Sequence, residues 1–272
     1  MSIKTFIFFD LETTGLPTKD HVPKVTELTF FCVYRRDIEQ ADIINLPPVS
    51  KLTCLFNPQT TLSPEAANIT GLSNEFLINQ PIFSDKIKCI IAFLDAPKPV
   101  CLVAHNGNRF DFKIIKNEFA NANAVLPRGL YCVDSIKAFK EILKDNVLIE
   151  LETSNTFNQT FQSSDSTLGE DAWPDLNVTP EDWKEIDSII DSFAKLKTTP
   201  NIKSDGNKLL IGNYKLTNIY KTLLKKDPKE SHRAEADCMM LLECVIKTKK
   251  YFLPWADKNY KLLSTIKPFQ SK

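Results

Sequence analysis

Two carboxylates one residue apart, Asp10 and Glu12, directly follow the apolar run Phe6–Phe9. The run predicts a buried strand at 3–9, and residues two positions apart along a strand point to the same face of a sheet. Both acids are therefore expected on one face, beside a core that would otherwise exclude charge. Adjacent, poorly hydrated carboxylates repel each other, and a divalent cation converts that cost into binding energy. The competing interpretation is an exposed acidic turn after the strand.

A third acid, Asp111, belongs to the segment VAHNGNRFDF at 103–112. The apolar run 100–104 predicts another buried strand, at 100–105, and the spacing of apolar residues predicts a helix over 109–121. Asp111 then falls in the first turn of that helix, where the helix dipole favours a carboxylate. Acids are common at this position, so Asp111 alone indicates little about function.

A fourth acid and a histidine lie in the segment SHRAEADCMMLLECV at 231–245. Ser231 is predicted to cap a helix whose apolar face carries residues at helical spacing, namely Ala234, Cys238, Leu241, Leu242 and Val245. Asp237 adjoins this face, and His232 precedes Asp237 by five residues. A solitary histidine at a helix start is usually a surface residue, but the chain has only three histidines.

Taken in order, Asp-x-Glu, Asp and His-x-Ala-x-x-Asp resemble the motifs of the DEDDh group of 3′-to-5′ exonucleases. Other segments are similar to the metazoan three-prime repair exonucleases: LSPEAANITGLSNEFL (62–77), LVAHNGNRFDF (102–112), CVDSIKAFK (132–140), LTNIYKTLLKKDP (216–228) and STIKP (264–268). The resemblance covers most of the chain, with 145–208 as the main exception. A single Asp-x-Glu is weak evidence, whereas the ordered set is strong.

The resemblance implies a metal-dependent exodeoxyribonuclease that releases 5′-mononucleotides from DNA 3′ ends. Asp10, Glu12, Asp111 and Asp237 would bind two Mg²⁺ ions, with Mn²⁺ as a substitute, roughly 4 Å apart. His232 would act as the general base, since histidine ordinarily titrates near neutral pH.

The resemblance also suggests where substrate is bound. It places Leu16 and Ile69 against the terminal base and Phe110 near the scissile nucleotide, although each could equally be a core residue. His105 and Arg109 are predicted as further substrate contacts. Asn213 and Lys215 stand where relatives often carry serine, which is a departure from the family pattern.

The predicted elements indicate an α/β fold. Strands are expected at 3–9, 25–36, 49–57, 100–105 and 130–133, and helices at 63–70, 82–95, 109–121 and 135–143. Ser63 as N-cap, Pro64 at the first helical position and Gly71 after the end mark one helix clearly. This order predicts a mixed sheet of about five strands flanked by helices, in agreement with the RNase H-like fold that the resemblance implies. The resemblance also implies a homodimer, formed through an edge strand at 49–57.

Composition favours one intracellular, soluble domain, cytoplasmic or nuclear. The 272 residues are 43% hydrophobic, enough for a sizeable core, and no segment approaches the roughly 20 apolar residues of a membrane helix. The N-terminal residues run directly into the first strand, so no signal peptide is predicted. Seven scattered cysteines suit a reducing compartment better than a disulfide framework or zinc site.

The zero net charge conceals a strong asymmetry. Residues 145–191 contain twelve acids and one base, so the rest of the chain holds 33 bases and 22 acids, a net charge of +11. A basic body attracts phosphates. The acidic insertion at about 145–208 could shield the active-site face, recruit a partner or simply be tolerated, and its polar first part predicts partial disorder.

Two alternative functions remain open at this stage. The first is an RNA-trimming or polymerase-proofreading exonuclease of the same group, because the sequence does not reveal how a 2′-hydroxyl would be recognised. The second is a non-catalytic module that binds nucleic acid, which is least favoured because all five motif residues are present.

Overall fold

The computed structural model describes residues 2–18, 21–143, 214–228 and 232–269, and these contain a six-stranded mixed sheet. The strands lie in the order β3-β2-β1-β4-β5-β6. Their bounds are Thr5–Thr13 (β1), Val25–Tyr34 (β2), Ser50–Leu55 (β3), Val100–Ala104 (β4), Tyr131–Asp134 (β5) and Lys261–Leu262 (β6). β1 is antiparallel to β2 and parallel to β4. The predicted α/β class with a mixed sheet is confirmed, while the proposed insertion at 145–208 lies outside the described residues.

Nine helices occur in the described part of the chain. They are Arg35–Gln40 (α1), Pro64–Thr70 (α2), Asn74–Leu77 (α3), Phe83–Leu94 (α4), Asp111–Asn121 (α5), Ser135–Ile142 (α6), Leu216–Leu224 (α7), Ala234–Lys247 (α8) and Lys249–Asn259 (α9). The predicted caps of α2 are confirmed, since the Ser63 hydroxyl accepts the Ala66 N–H and Gly71 has a φ of 68°. The strand predicted over 25–36 is two residues too long, because α1 begins at Arg35.

The side chains of β1 divide between the two faces of the sheet. Ile7, Phe9 and Leu11 belong to the main hydrophobic core, together with buried residues of α4 and α5. Because side chains alternate along a strand, Asp10 and Glu12 lie on the opposite face. Helix α8 packs against β1 and β2 there.

The first strand is longer than the sequence predicts. It continues to Thr13 instead of ending at residue 9, so both acids lie within the strand and are paired with β2. Glu12 is only 7% exposed. An exposed acidic turn is therefore the wrong interpretation. A register shift between Glu12 and Thr13 ends the regular pairing just beyond the acidic pair.

Three further features concern the sheet edge, the cysteines and the helices. β3 forms one edge of the sheet, as predicted for the strand near 49–57. All seven cysteines are free thiols. Among the described residues, no helix combines the length and the apolar character that crossing a bilayer requires.

The connection between β4 and α5 depends on a glycine that leaves room for an aromatic ring. A Cβ at Gly107 would lie 2.7 Å from both the Phe112 ring and the Ala104 Cβ.

We expect Gly107→Ala to destabilise the protein by about 1–3 kcal/mol, the usual cost of overpacking, as measured by urea denaturation. Gly129→Ala is the control. A Cβ there meets nothing within 4 Å, so any loss of stability comes from the backbone, whose φ is 75°, and not from overpacking. An equal or smaller loss in Gly107→Ala would show that the Phe112 ring yields at little cost.

Candidate active site

Three carboxylates from two distant parts of the chain meet on the α8 side of the sheet. Asp10 and Glu12 come from β1, and Asp237 comes from the first turn of α8. Each offers an oxygen atom, and these atoms all lie within 4.8 Å of one another. Oxygen ligands at this spacing suit hard divalent cations such as Mg²⁺, Mn²⁺ or Ca²⁺.

Asp111 approaches the same site from a third element. It is the first residue of α5 and is 3% exposed. Burial has the larger effect on its pKa and raises it, while the backbone of Asp111 and that of Leu11 lower it. Asp111 is not one of the three acids that share the 4.8 Å cluster, but its charge raises the pKa of both Asp10 and Glu12.

Burial dominates the electrostatics of all four acids. It raises the pKa of Asp10 and Glu12 well above their usual range, and the neighbouring carboxylates raise each pKa further. Burial also raises the pKa of Asp111 to about 8 and that of Asp237 to about 7. Without a cation, the site therefore holds protons at neutral pH that isolated carboxyls would release.

His232 lies immediately before α8 and is tied to the cluster through its backbone. Its N–H donates to Asp237 Oδ2 over 3.1 Å, and its φ is 68°. The helix begins at Ala234 with Arg233 in the N-cap position, so the prediction that Ser231 is its N-cap residue is wrong, and Ser231 itself lies outside the described residues. His232, directly before Arg233, has a left-handed backbone.

A fifth acid beside the cluster was missed in the sequence. Glu27 lies on β2 directly opposite Glu12 and is 1% exposed. Arg233 donates to both Glu27 carboxylate oxygens, from Nε at 2.9 Å and Nη2 at 3.1 Å. A glutamate within a largely apolar strand was the available signal, but only the strand register places it opposite Glu12.

A second missed acid, Asp134, shapes the loop that leads to Asp111. Its carboxylate accepts the N–H groups of Asn106, Asn108 and Ile136, each at 3.1 Å. Asp134 is buried at the end of β5, next to the end of β4. These bonds fix the 105–110 loop and hence the start of α5.

Two of the predicted substrate contacts, Leu16 and Ile69, belong to segments that are hydrogen-bonded to each other. Leu16 lies half-buried in the loop after β1, and Ile69 lies half-buried on α2. The Ser63 N–H donates to the Thr14 carbonyl at 2.8 Å, which joins the start of α2 to that loop. These two assignments stay predictions.

The other three predicted contacts lie between β4 and α5. Arg109 and Phe110 are half-buried, and Phe110 packs against the main core. Both ring nitrogens of His105 have protein partners, Ser135 Oγ and the Tyr214 carbonyl, each at 2.8 Å. His105 therefore has a structural role in this conformation, and substrate contact by these three residues stays a prediction.

Comparison with known proteins supports the grouping that the motifs suggest. Residues 7–145, about half of the chain, match the exonuclease (RNase_T) family model. The chain is 30% identical over 280 aligned positions to three-prime repair exonuclease 1 of Homo sapiens, covering 98% of this chain and 70% of that protein. It is 36% identical over 147 positions to three prime repair exonuclease 2 of Homo sapiens, covering 50% and 61% respectively.

A solved structure shares the fold at low sequence identity. Exonuclease I of E. coli, in a zinc-bound complex with single-stranded DNA, superimposes with a TM-score of 0.56 at 14% identity. The match covers 94% of this chain and 43% of that chain. The architecture is accordingly the RNase H-like fold of exonucleases. Together with the family match, these similarities show that the chain belongs to the exonuclease family, as a DEDDh-type 3′-to-5′ exonuclease close to the metazoan three-prime repair exonucleases.

Proposed function

We propose that this exonuclease is a metal-dependent exodeoxyribonuclease that releases 5′-mononucleotides from the 3′ ends of DNA. The observation that carries the proposal is the convergence of Asp10, Glu12 and Asp237, with Asp111 beside them, on one face of the sheet. Similarity to the repair exonucleases supports DNA as the substrate. The net charge of +11 outside residues 145–191 supports binding of a phosphate backbone.

The acidic residues fit a pair of divalent cations. Asp10, Glu12, Asp111 and Asp237 supply only oxygen ligands, and burial together with neighbouring carboxylates raises their pKa values, which supports the binding of positive charge here. This donor set favours Mg²⁺, with Mn²⁺ as a substitute. When bound, two such ions would stabilise the attacking and leaving oxygens of an in-line displacement.

His232 is proposed as the general base that accepts the proton of the attacking water. Its place at the start of α8, with its backbone bonded to Asp237, supports this role. An imidazole ordinarily titrates close to physiological pH and can therefore accept and release a proton there.

Substrate binding is proposed at Leu16, Ile69, Arg109 and Phe110. The two apolar residues on the β1 and α2 side would contact the terminal base, and Phe110 would pack near the scissile nucleotide. A homodimer through β3 is also proposed, because β3 lies at the sheet edge and exposes part of its length.

The proposed activity is tested with matched 3′-labelled single-stranded DNA and RNA, in Mg²⁺ or in EDTA. We expect 5′-mononucleotides from DNA in Mg²⁺ and none in EDTA. Asp10→Asn and Asp237→Asn should abolish hydrolysis and remain folded, because each removes one of several repelling carboxylates. A preference for RNA would favour the RNA-trimming alternative, and full activity in either variant would contradict the metal site.

His232→Ala is expected to lower kcat by roughly 10²- to 10⁴-fold, the usual contribution of a general base, with DNA affinity largely retained. His21→Ala is the matched control, since His21 lies in the connection between β1 and β2. Single-turnover kinetics measure the rate of hydrolysis, and DNA titrations measure the affinity for DNA. If DNA affinity fell while kcat held, His232 would be a substrate contact.

The raised pKa values predict a pH-dependent effect of Mg²⁺ on stability. Without metal, Asp111 and Asp237 keep protons up to about pH 8 and about pH 7, whereas the unfolded chain releases them near pH 4. Their contribution to stability is therefore complete below about pH 4 and is lost as the pH rises through those values. Because Mg²⁺ binds the ionised carboxylates, we expect it to raise Tm more at about pH 8.5 than at about pH 6.

Scanning calorimetry in Mg²⁺ and in EDTA at both pH values measures this difference. Asp237→Asn should show a smaller Mg²⁺ effect at the higher pH and a higher Tm in EDTA. An equal rise in Tm at both pH values would contradict protonation of the metal-free cluster.

A further inference from the structure

Glu27 and Arg233 form an ion pair that joins β2 to the start of α8. Arg233 is the N-cap residue of the helix and directly follows His232. Its guanidinium donates two hydrogen bonds to the Glu27 carboxylate, which is almost fully buried, while the Arg233 side chain is 44% exposed. A two-point ion pair fixes direction as well as distance.

Arg233, the N-cap residue of α8, makes no side-chain capping hydrogen bond to the helix. The first turn is held to the sheet by other contacts. Besides the Arg233 pair with β2, Glu235 accepts from Lys51 Nζ at 2.5 Å and from Thr53 Oγ1 at 3.4 Å, both on β3. The Arg233 pair is the tie nearest to His232, and its acid lies opposite Glu12 in the sheet.

We infer that Arg233, held by Glu27, is a positioning residue that fixes His232 and Asp237 relative to the acids of β1. The inference rests on the proposed function, in which His232 and Asp237 act together. The connection is short: Arg233 is covalently next to His232, and the His232 N–H is bonded to Asp237. Removing either Arg233 or Glu27 would release the backbone segment that carries His232 and Asp237.

Two other roles for Arg233 give different results and can be separated. If it only balanced charge, removing Arg233 would make the site more negative and removing Glu27 would make it less negative. The Mg²⁺ concentration for half-maximal activity would then shift in opposite directions in the two variants. If Arg233 instead contacted a substrate phosphate, only its own removal would raise KM for DNA.

The test compares Glu27→Gln, Arg233→Gln and the double variant in steady-state kinetics. Positioning predicts that both single variants lower kcat by roughly 10- to 100-fold with KM for DNA nearly unchanged, since small misplacements of catalytic groups are costly. The double variant should be no slower than the slower single variant, because both changes break one interaction. Arg233→Lys keeps the charge without the two-point contact and should recover activity only in part.

A second readout is independent of activity and of metal. Amide hydrogen exchange over His232–Asp237, measured in EDTA, should be faster in Glu27→Gln and Arg233→Gln than in the unmodified protein. Arg35→Gln is the matched control, because it removes an arginine–carboxylate pair with Asp257 that joins α1 to α9. It should leave both kcat and exchange at His232–Asp237 unchanged.

Each result decides the inference separately from the proposed function. Unchanged exchange at His232–Asp237, or normal kcat in Glu27→Gln and Arg233→Lys, would overturn the positioning role. Opposite shifts in Mg²⁺ dependence without loss of kcat would assign Arg233 to charge balance. Retained hydrolysis in Asp237→Asn, in contrast, would defeat the proposed function itself.

Discussion

Repulsion among buried carboxylates is the constraint on which the rest of this structure depends. Asp10, Glu12 and Asp237 bring their oxygens within 4.8 Å, and burial together with repulsion from neighbouring carboxylates, Glu27 among them, raises the pKa of each. In their ionised forms these acids repel one another unless a cation balances their charge. Hydrophobic burial on the opposite face of β1 offsets this repulsion, because Ile7, Phe9 and Leu11 pack into the main core. Hydrophobic packing on one side of a strand therefore supports a charged site on the other.

Hydrogen bonds and ion pairs hold the acids where packing alone would leave them free to separate. Asp134 accepts three backbone N–H groups and sets the loop that leads to Asp111. Glu27 adds a further negative charge but binds Arg233, which links it to the helix that carries Asp237. Each missed acid therefore organises the backbone next to a predicted ligand. Such an arrangement suits a site that must stay assembled before its cations arrive.

Local signals in the sequence predicted those elements whose ends depend on neighbouring residues alone. Ser63, Pro64 and Gly71 delimit α2 because capping and a left-handed C-terminal residue are local effects. The predicted end of β1 was wrong. Pairing with β2 extends the strand through Asp10 and Glu12, although acidic residues have a low preference for strands. The predicted N-cap residue of α8 was wrong. Arg233 occupies that position, directly after His232, whose φ is 68°.

The sequence by itself determined the identity and order of the candidate ligands, Asp10, Glu12, Asp111 and Asp237, and the alternation that puts the first two on one face. Only the tertiary structure decided that α8 delivers Asp237 to β1, and that β2 places Glu27 opposite Glu12. The physical reason is the range of the interactions involved. Strand alternation and helix capping act over a few residues, whereas strand register is set by pairing between whole strands. Helix docking depends on packing between segments more than 200 residues apart, as the Arg233–Glu27 pair shows.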